Sequence, residues 1–186
     1  MKRYLLSLVF VCLAVLIGVV AGARTYDVRH EDVVNFPGSL IVPSLKRKSA
    51  RDPYFYGSVK FLKDITNEDK VTVRIYENAS GEYREEPFDN LKNRHVCEAL
   101  KDLYSRFLKP ILVTGENTNF NFKNGKVCPL PKGDYSIDVL RFNVSAWNVD
   151  WALKDAQYWG HLTVVDKNGE FGGGVSFQVT VRVYND

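Results

Sequence analysis

The sequence has no strong excess of charge of either sign. It carries 25 Lys and Arg against 22 Asp and Glu in 186 residues. A nucleic-acid-binding domain normally carries a basic stripe, so this near-balance argues against a nucleic-acid partner. After residue 23 the chain also lacks any apolar run long enough to cross a bilayer, and it contains no internal repeat. These features are typical of one ordinary globular domain.

The apolar run that does exist lies at the start of the chain. Lys2 and Arg3 precede twenty uncharged residues, 4–23, which end in the small residues Ala21-Gly22-Ala23. This pattern predicts a signal peptide over residues 1–23, cut after Ala23, and therefore a secreted, extracellular protein. A retained signal anchor is the alternative, because twenty apolar residues could span a bilayer.

Cysteine is scarce, with three residues in the chain. Cys12 lies within the predicted signal peptide, so the secreted part would keep Cys97 and Cys128 in an oxidising compartment. Two cysteines allow one intrachain pairing, and closing a loop of about thirty residues contributes roughly 3–4 kcal/mol on the chain-entropy model. Two free thiols, or an intermolecular bridge, are the alternative.

Catalytic and metal-binding signatures are absent from the sequence. The three histidines, His30, His95 and His161, stand outside any H-E-x-x-H or G-x-S-x-G pattern, and His161 is interpreted as an ordinary sheet histidine. The segment DKNGE at 166–170 lacks the ligand spacing of a calcium loop and is interpreted as a hairpin turn. We therefore expect no enzymatic activity, no cofactor and no metal.

Period-two alternation is the strongest pattern that the sequence contains. Val71, Val73 and Ile75 alternate with polar residues, which predicts a half-buried antiparallel strand. Residues 161–183 predict a hairpin, with positive φ at Asn168-Gly169. Apolar positions in residues 135–144 change face between Val139 and Leu140, which indicates a bulge.

A single stretch has helical spacing instead. Apolar residues recur there at intervals of three and four: Val96, Leu100, Leu103, Phe107 and Ile111. This stripe predicts one amphipathic helix over Val96 to Leu108, ending near Pro110, with Cys97 in its first turn. One helix among seven or eight short strands predicts a mainly β fold, an immunoglobulin-like antiparallel β-sandwich with one short α-helix. We place the sandwich at residues 54–186, after an N-terminal segment and basic loop at 24–53.

A basic cluster lies at the end of that N-terminal segment. It consists of Lys46, Arg47, Lys48 and Arg51. A solvated loop is the simplest interpretation, and a processing site or a contact with anionic lipid headgroups are the alternatives.

Two sequons predict a glycoprotein. Asn78 stands in the turn-like sequence ENASGEY, and Asn143 stands in a strand-like run, where glycosylation requires an outward side chain.

Tryptophan is concentrated in one connection. Trp147, Trp151 and Trp159 fall within thirteen residues. They are either core residues or rigid apolar surface around the mouth of a sandwich whose sheets splay apart.

Several segments together resemble a known group of proteins. They are HVCEALKDLYSRFLKPIL at 95–112, NFNF at 119–122, KVCPLPKGDYSID at 126–138, the tryptophan-rich connection, and HLTVVDKNGEFGGGVSFQVTVRV at 161–183. In this order they resemble a large group of secreted insect proteins of uncharacterised function, which look like distant relatives of the ganglioside-activator and ML lipid-recognition families. The resemblance covers roughly residues 54–184.

The resemblance implies a β-cup whose two sheets hold a lipid, sterol or hydrocarbon-like molecule, and a role in chemosensation for a non-enzymatic carrier. We expect the cavity to be lined by Phe61, Val73, Ile75, Phe107, Phe142, Trp147, Trp151, Trp159 and Phe177. A monomer is expected, with a membrane-surface or receptor contact as a further partner. The alternative function is an extracellular protein-interaction module with a filled core and no ligand cavity.

Overall fold

A computed structural model describes residues 24–51, 54–78, 80–86, 91–147 and 153–185. The predicted signal peptide and Trp151 lie outside these residues. The strands are β1 Arg24–Phe36, β2 Ile41–Arg47, β3 Phe55–Phe61, β4 Lys70–Asn78, β5 Tyr83–Glu85, β6 Arg94–His95, β7 Gly133–Leu140, β8 Ala156–Val165 and β9 Phe171–Asn185. One α-helix, α1 Val96–Leu103, appears among the described residues. None of the helices there is both long and apolar enough to span a membrane.

The strands form two antiparallel sheets. The larger sheet has the order β1-β9-β8-β4-β5, and β6 also pairs with β4. The smaller sheet has the order β2-β3-β7. The predicted mainly β fold, an antiparallel β-sandwich with one short helix, is therefore confirmed.

Alternation of apolar and polar residues places one face of each sheet inside. In the larger sheet, Val71 lies opposite Val164 and Val73 lies opposite Leu162 in the β4–β8 pairing. Leu162 in turn lies opposite Val175 in the β8–β9 hairpin. Since alternate side chains of a strand share a face, these rows form one apolar surface toward the smaller sheet.

The N-terminal segment belongs to the sandwich, so the predicted boundary at residue 53 is wrong. β1 pairs with β9 from Arg24 opposite Asn185 to Phe36 opposite Gly174, and β2 pairs with β3. The register of β1 shifts between His30 and Asp32, so a single alternation does not run through the strand. This bulge and the many charged residues of β1 hide its strand character in the sequence.

The two sheets join closely at the edge formed by β1 and β2. The Asn35 side chain donates to the Leu45 carbonyl at 2.7 Å and accepts from the Leu45 amide at 2.9 Å. Further along, the Leu40 amide donates to the Gly172 carbonyl at 2.9 Å. Gly173 has a φ of 122°, and a Cβ there would lie 2.5 Å from the carbonyl oxygen of Ile41. The glycine run at 172–174 therefore permits a backbone contact that no larger residue would allow.

The predicted helix begins at Val96 and is α-helical only to Leu103. A π-helical turn, Tyr104–Leu108, continues it, with the Lys109 amide donating to the Tyr104 carbonyl at 2.8 Å. Cys97, in the first turn, is disulfide-bonded to Cys128, with 5.9 Å between the two Cα atoms. The intrachain pairing is thus confirmed, and it attaches the start of the helix to the segment that leads into β7.

Two smaller sequence predictions have different outcomes. The change of face near Val139 is confirmed, because the β3–β7 register shifts where Leu140 pairs with Phe55 and Ile137 with Gly57. In the β8–β9 turn, Gly169 has a positive φ of 87° but Asn168 does not. Instead, the Asp166 carboxylate accepts from the amides of Asn168 and Glu170 at 2.8 and 2.9 Å, which closes the turn.

Candidate functional site: an apolar cavity between the sheets

The interior of the sandwich contains a cavity of about 400 Å³. This volume falls in the range of small-molecule binding sites. No Asp, Glu, Lys or Arg of the described residues lines it. The cavity therefore offers an apolar environment, and transfer of an apolar molecule into it from water is favourable, at about 25 cal/mol per Å² buried.

Three walls border the cavity. The larger sheet contributes Val71, Val73, Ile75, Leu162, Val175 and Phe177, and the smaller sheet contributes Ile41, Leu45, Val59, Phe61, Ile137 and Leu140. The third wall is the helix with its π-turn and the residues just after it, through Leu100, Leu103, Phe107, Leu108 and Ile111. The helical stripe of the sequence is thus the side of the helix that lines the cavity.

The structure places seven of the nine predicted cavity residues on the lining. They are Phe61, Val73, Ile75, Phe107, Phe142, Trp147 and Phe177. Trp151 lies outside the described residues.

Trp159 is absent from the cavity lining, so the prediction for this residue is wrong. Tyr158, its neighbour in β8, lines the cavity instead. Because successive side chains of a strand point to opposite faces, Trp159 lies on the outer face of the larger sheet, where its ring contacts Tyr83 and His161. Tyr158 and Leu162 could have been found by extending the alternation of β8 backwards from Val164.

The hydroxyl groups on the lining have partners within the protein, and His161 turns its ring to Tyr76 and Trp159 on the outer face of the larger sheet. The Thr118 hydroxyl donates to the Ser136 carbonyl at 2.7 Å, and the Tyr135 hydroxyl donates to the Pro131 carbonyl at 2.7 Å. The Tyr158 hydroxyl accepts from the Lys154 amide at 3.0 Å. These hydroxyls stabilise neighbouring loops and leave the cavity surface apolar.

A charged cluster lies at the end of the cavity where Tyr158 and Leu153 contribute to the lining. The Lys154 ammonium donates to both carboxylate oxygens of Glu77, at 3.2 and 3.4 Å. Glu77 is on the same face of β4 as Ile75 and is buried. Burial raises the pKa of Tyr158 to about 12, and the Glu77 charge acts in the same direction. Burial and the neighbouring Glu77 raise the pKa of Glu86. The cluster stabilises the start of β8 against the end of β4.

Aromatic rings form a corner of the lining after β7. Phe142 and Trp147 have ring centroids 6.2 Å apart, and Trp147 lies 5.2 Å from Phe107 of the π-turn. His30 of β1 stacks on Phe142 at 5.4 Å with an interplanar angle of 12°. The His30 Nε2 accepts a hydrogen bond from the Phe142 amide at 2.9 Å. This bond joins β1 of the larger sheet to the chain that leaves the smaller sheet.

His30 is held neutral by its surroundings. Only 2% of the residue is exposed. Burial first, and then the charges of Arg141 and Arg47, lower the pKa of His30 to about 4. Protonation would also remove the lone pair with which Nε2 accepts the Phe142 amide hydrogen.

We expect the protein to lose stability on mild acidification through His30. The pKa of this histidine is near 6.5 in the unfolded chain and about 4 in the fold, so the unfolded chain takes up the proton first as pH falls. This titration leaves the free energy of unfolding unchanged above about pH 6.5 and lowers it progressively between about pH 6.5 and about pH 4. Between about pH 7.5 and about pH 5 the free energy of unfolding falls by about 1–2 kcal/mol. Urea unfolding at the two pH values measures it.

The His30→Gln variant, which keeps a hydrogen-bond acceptor but does not titrate, is expected to lose correspondingly less stability over the same interval. His161→Gln is the matched control. Burial also lowers the pKa of His161, followed by the charge of Arg74, but this ring is far less enclosed. An unchanged pH dependence in the His30 variant would contradict the assignment.

The remaining predicted sites lie away from the cavity. Asn78 ends β4, and its side chain accepts from the Gly81 amide at 2.7 Å, whereas Asn143 is exposed, as glycosylation requires. In the basic cluster, Lys46 and Lys48 lie over the ring of Tyr56 at 5.1 and 5.6 Å. The described residues contain no group of His, Cys, Asp and Glu side chains arranged to hold a metal ion.

His95 and Arg47, which the sequence analysis also singled out, have hydrogen-bond partners within the protein. The His95 Nδ1 lies 2.6 Å from the Asn67 carbonyl oxygen, just before the helix. Arg47 donates to the carbonyls of Glu31 and Ser49 at 2.9 and 3.0 Å. The cavity is therefore the candidate site for a small molecule among the described residues. No protein-family model matches this chain, and no curated protein matches it either.

Proposed function

We propose that this protein is a secreted, non-enzymatic carrier that binds an elongated apolar molecule between its two sheets. The cavity of about 400 Å³ is the observation that supports this function. A filled core would be closely packed, with few voids larger than a water molecule. Apolar walls offer water few hydrogen-bond partners, so an apolar ligand that enters displaces weakly held water at most.

The shape of the cavity favours a chain-like ligand. Its lining extends from Val96 and Phe122 near the helix to Val181 and Tyr158 near the far end of β9 and β8. A lipid chain, a sterol or a hydrocarbon fits such a space. The absence of charged lining among the described residues favours a ligand whose buried part is neutral, because burial of an unpaired charge is costly. A role in chemosensation remains a prediction from the resemblance.

The Leu162→Trp variant tests whether the cavity is the binding site. Leu162 lies on the cavity lining near the middle of β8, and a larger side chain there would occupy space that the ligand needs. If the ring displaces two methylene groups of the ligand, affinity falls about tenfold, at about 0.8 kcal/mol per methylene. Displacement of the neutral fluorescent dye N-phenylnaphthylamine by fatty-acid methyl esters measures the change.

Thr163→Trp provides the matched control. This residue is the next one in β8 and lies on the outer face of the same sheet. Its variant is expected to bind as tightly as the wild type. Equal loss of binding in both variants would mean that unfolding, and not occupation of the cavity, is responsible.

Extraction of the natively secreted protein, followed by mass spectrometry, tests the function without a chosen ligand. We expect a lipid or hydrocarbon in stoichiometric amount, and much less of it in the Leu162→Trp protein. An empty cavity in the natively purified protein, together with no displacement of the dye, would count against a carrier.

A protein-interaction module is the second candidate, and the outer face of the larger sheet supports it. Tyr83, which is 40% exposed, packs its ring against Trp159 at 5.8 Å and bonds to Gln157 and Gln178. An ordered aromatic surface of this kind is typical of contacts with another protein. Trp159→Ala would then abolish a receptor contact and leave dye binding unchanged.

A further inference from the structure

Trp147 has a buried hydrogen-bond donor without an acceptor. The residue follows a short 3₁₀ turn, Val144–Ala146, and its ring is part of the cavity lining. Its indole Nε1 is buried and has no hydrogen-bond partner among the residues that the structure describes. Buried polar atoms are almost always paired in folded proteins, and an unpaired one requires an explanation.

The other unpaired atoms do not belong to the lining. Among the described residues, His30 Nδ1 and Ser176 Oγ are also buried without a partner. His30 is not a lining residue, and Ser176 lies between Val175 and Phe177, which turn their side chains to the cavity, so its own side chain points away. Among the described lining residues, the Trp147 indole therefore supplies the one buried side-chain donor without a partner. The lining hydroxyls are bonded to Ser136, Pro131 and Lys154.

We propose that the ligand is a neutral long-chain compound with one carbonyl oxygen, an ester, aldehyde or ketone, and that this oxygen accepts a hydrogen bond from the Trp147 indole. This inference rests on the proposed carrier function and specifies its ligand. Indole N–H donates and cannot accept, so a hydrocarbon leaves it unpaired. A carboxylate would bring a charge to a lining without Lys or Arg among the described residues, at a large desolvation cost.

An explanation within the protein competes with this proposal. The rings of Phe107 and Phe142 stand nearly perpendicular to that of Trp147, at 77° and 79°. An N–H group can interact weakly with an aromatic face, and such a contact would leave no role for a ligand oxygen. The experiment must therefore separate a carbonyl acceptor from ring contacts.

The test compares two probes in two proteins. The probes are a straight-chain alkane and a fatty-acid methyl ester with the same number of chain atoms, each displacing N-phenylnaphthylamine. In the Trp147→Phe variant, we expect the affinity for the ester relative to the alkane to fall about fivefold, the value of one hydrogen bond. Trp159→Phe, on the outer face, should leave the ratio unchanged.

A spectroscopic readout keeps the test independent of the variant's folding. The carbonyl stretch of the ester bound to the wild-type protein should absorb at lower frequency than that of the same ester in alkane solvent, because a hydrogen bond weakens the C=O bond. An unshifted carbonyl band, or an ester-to-alkane ratio equal in the wild type and Trp147→Phe, overturns the inference and leaves the carrier function intact. If neither probe displaces the dye, the carrier function itself fails.

Discussion

Replacement of Phe55 by alanine is expected to lower the free energy of unfolding by about 3–5 kcal/mol. Phe55 has no exposed surface. Its ring lies 5.2 Å from that of His30 and 5.3 Å from that of Phe177, and it packs between the two sheets. Alanine removes these contacts and leaves a void that the paired strands around it cannot close. Urea unfolding at neutral pH measures the loss.

Phe171→Ala provides the comparison for this variant. Phe171 begins β9 and is 49% exposed, so its truncation should change the free energy of unfolding by about 0.5 kcal/mol or less. A loss below about 1 kcal/mol for Phe55→Ala would contradict the packing described for the centre of the sandwich. The Phe55 ring packs against that of Phe177, which lines the cavity. Its removal should therefore enlarge the cavity, and the variant should still bind the dye there.

Removal of the disulfide is expected to cost about 3–4 kcal/mol. Cys97 and Cys128 are 31 residues apart in the sequence, and on the chain-entropy model their bridge restricts the unfolded chain by this amount. The double variant Cys97→Ser, Cys128→Ser should therefore unfold at lower urea concentration. It should also bind ligand more weakly, because the bridge positions the start of the helix that forms one cavity wall.

Reduction of the wild-type protein separates the effect of the disulfide bond on stability from the effect of replacing the two sulfur atoms. Reduction should bring the wild-type protein close to the stability of the double variant and should not affect the variant. Equal stability of the oxidised wild type and the variant would show that the bridge contributes nothing in solution.

The central strands were predictable because their residues alternate without interruption. Val71, Val73 and Ile75 identify the inner face of β4 from the sequence alone, and the same holds for Val175 and Phe177 in β9. The inner side of the helix was predictable for the same reason, with a period of 3.6 instead of two. A local periodicity suffices for these elements, because it shows which face is buried.

β1 and the orientation of Trp159 were not predictable in this way. In β1 the bulge between His30 and Asp32 reverses the alternation, and its pairing with β9 joins residues more than a hundred positions apart. Trp159 was misplaced because its size suggested burial, while its position in β8 is one residue away from the inward Tyr158. A shift of one residue moves a side chain to the other face of the sheet.

The cavity itself could not be derived from the sequence. Inward apolar residues such as Phe142 and Leu162 would show the same sequence pattern whether the core were filled or contained a cavity. The difference depends on the separation of the sheets, which is set by distant contacts such as the helix wall and the Asn35–Leu45 bonds. Periodicity therefore predicts which residues face inward, but not whether the side chains of the two sheets touch or leave a cavity between them.

The pairing of β1 with β9 has a consequence for the order of folding. β1 is an edge strand whose neighbour in the larger sheet is β9, more than a hundred residues further along the chain. The larger sheet therefore cannot be completed before β9 has been synthesised. Contacts between such distant parts of a chain make folding slow. The disulfide between Cys97 and Cys128 closes a much shorter loop and can form before β1 pairs with β9.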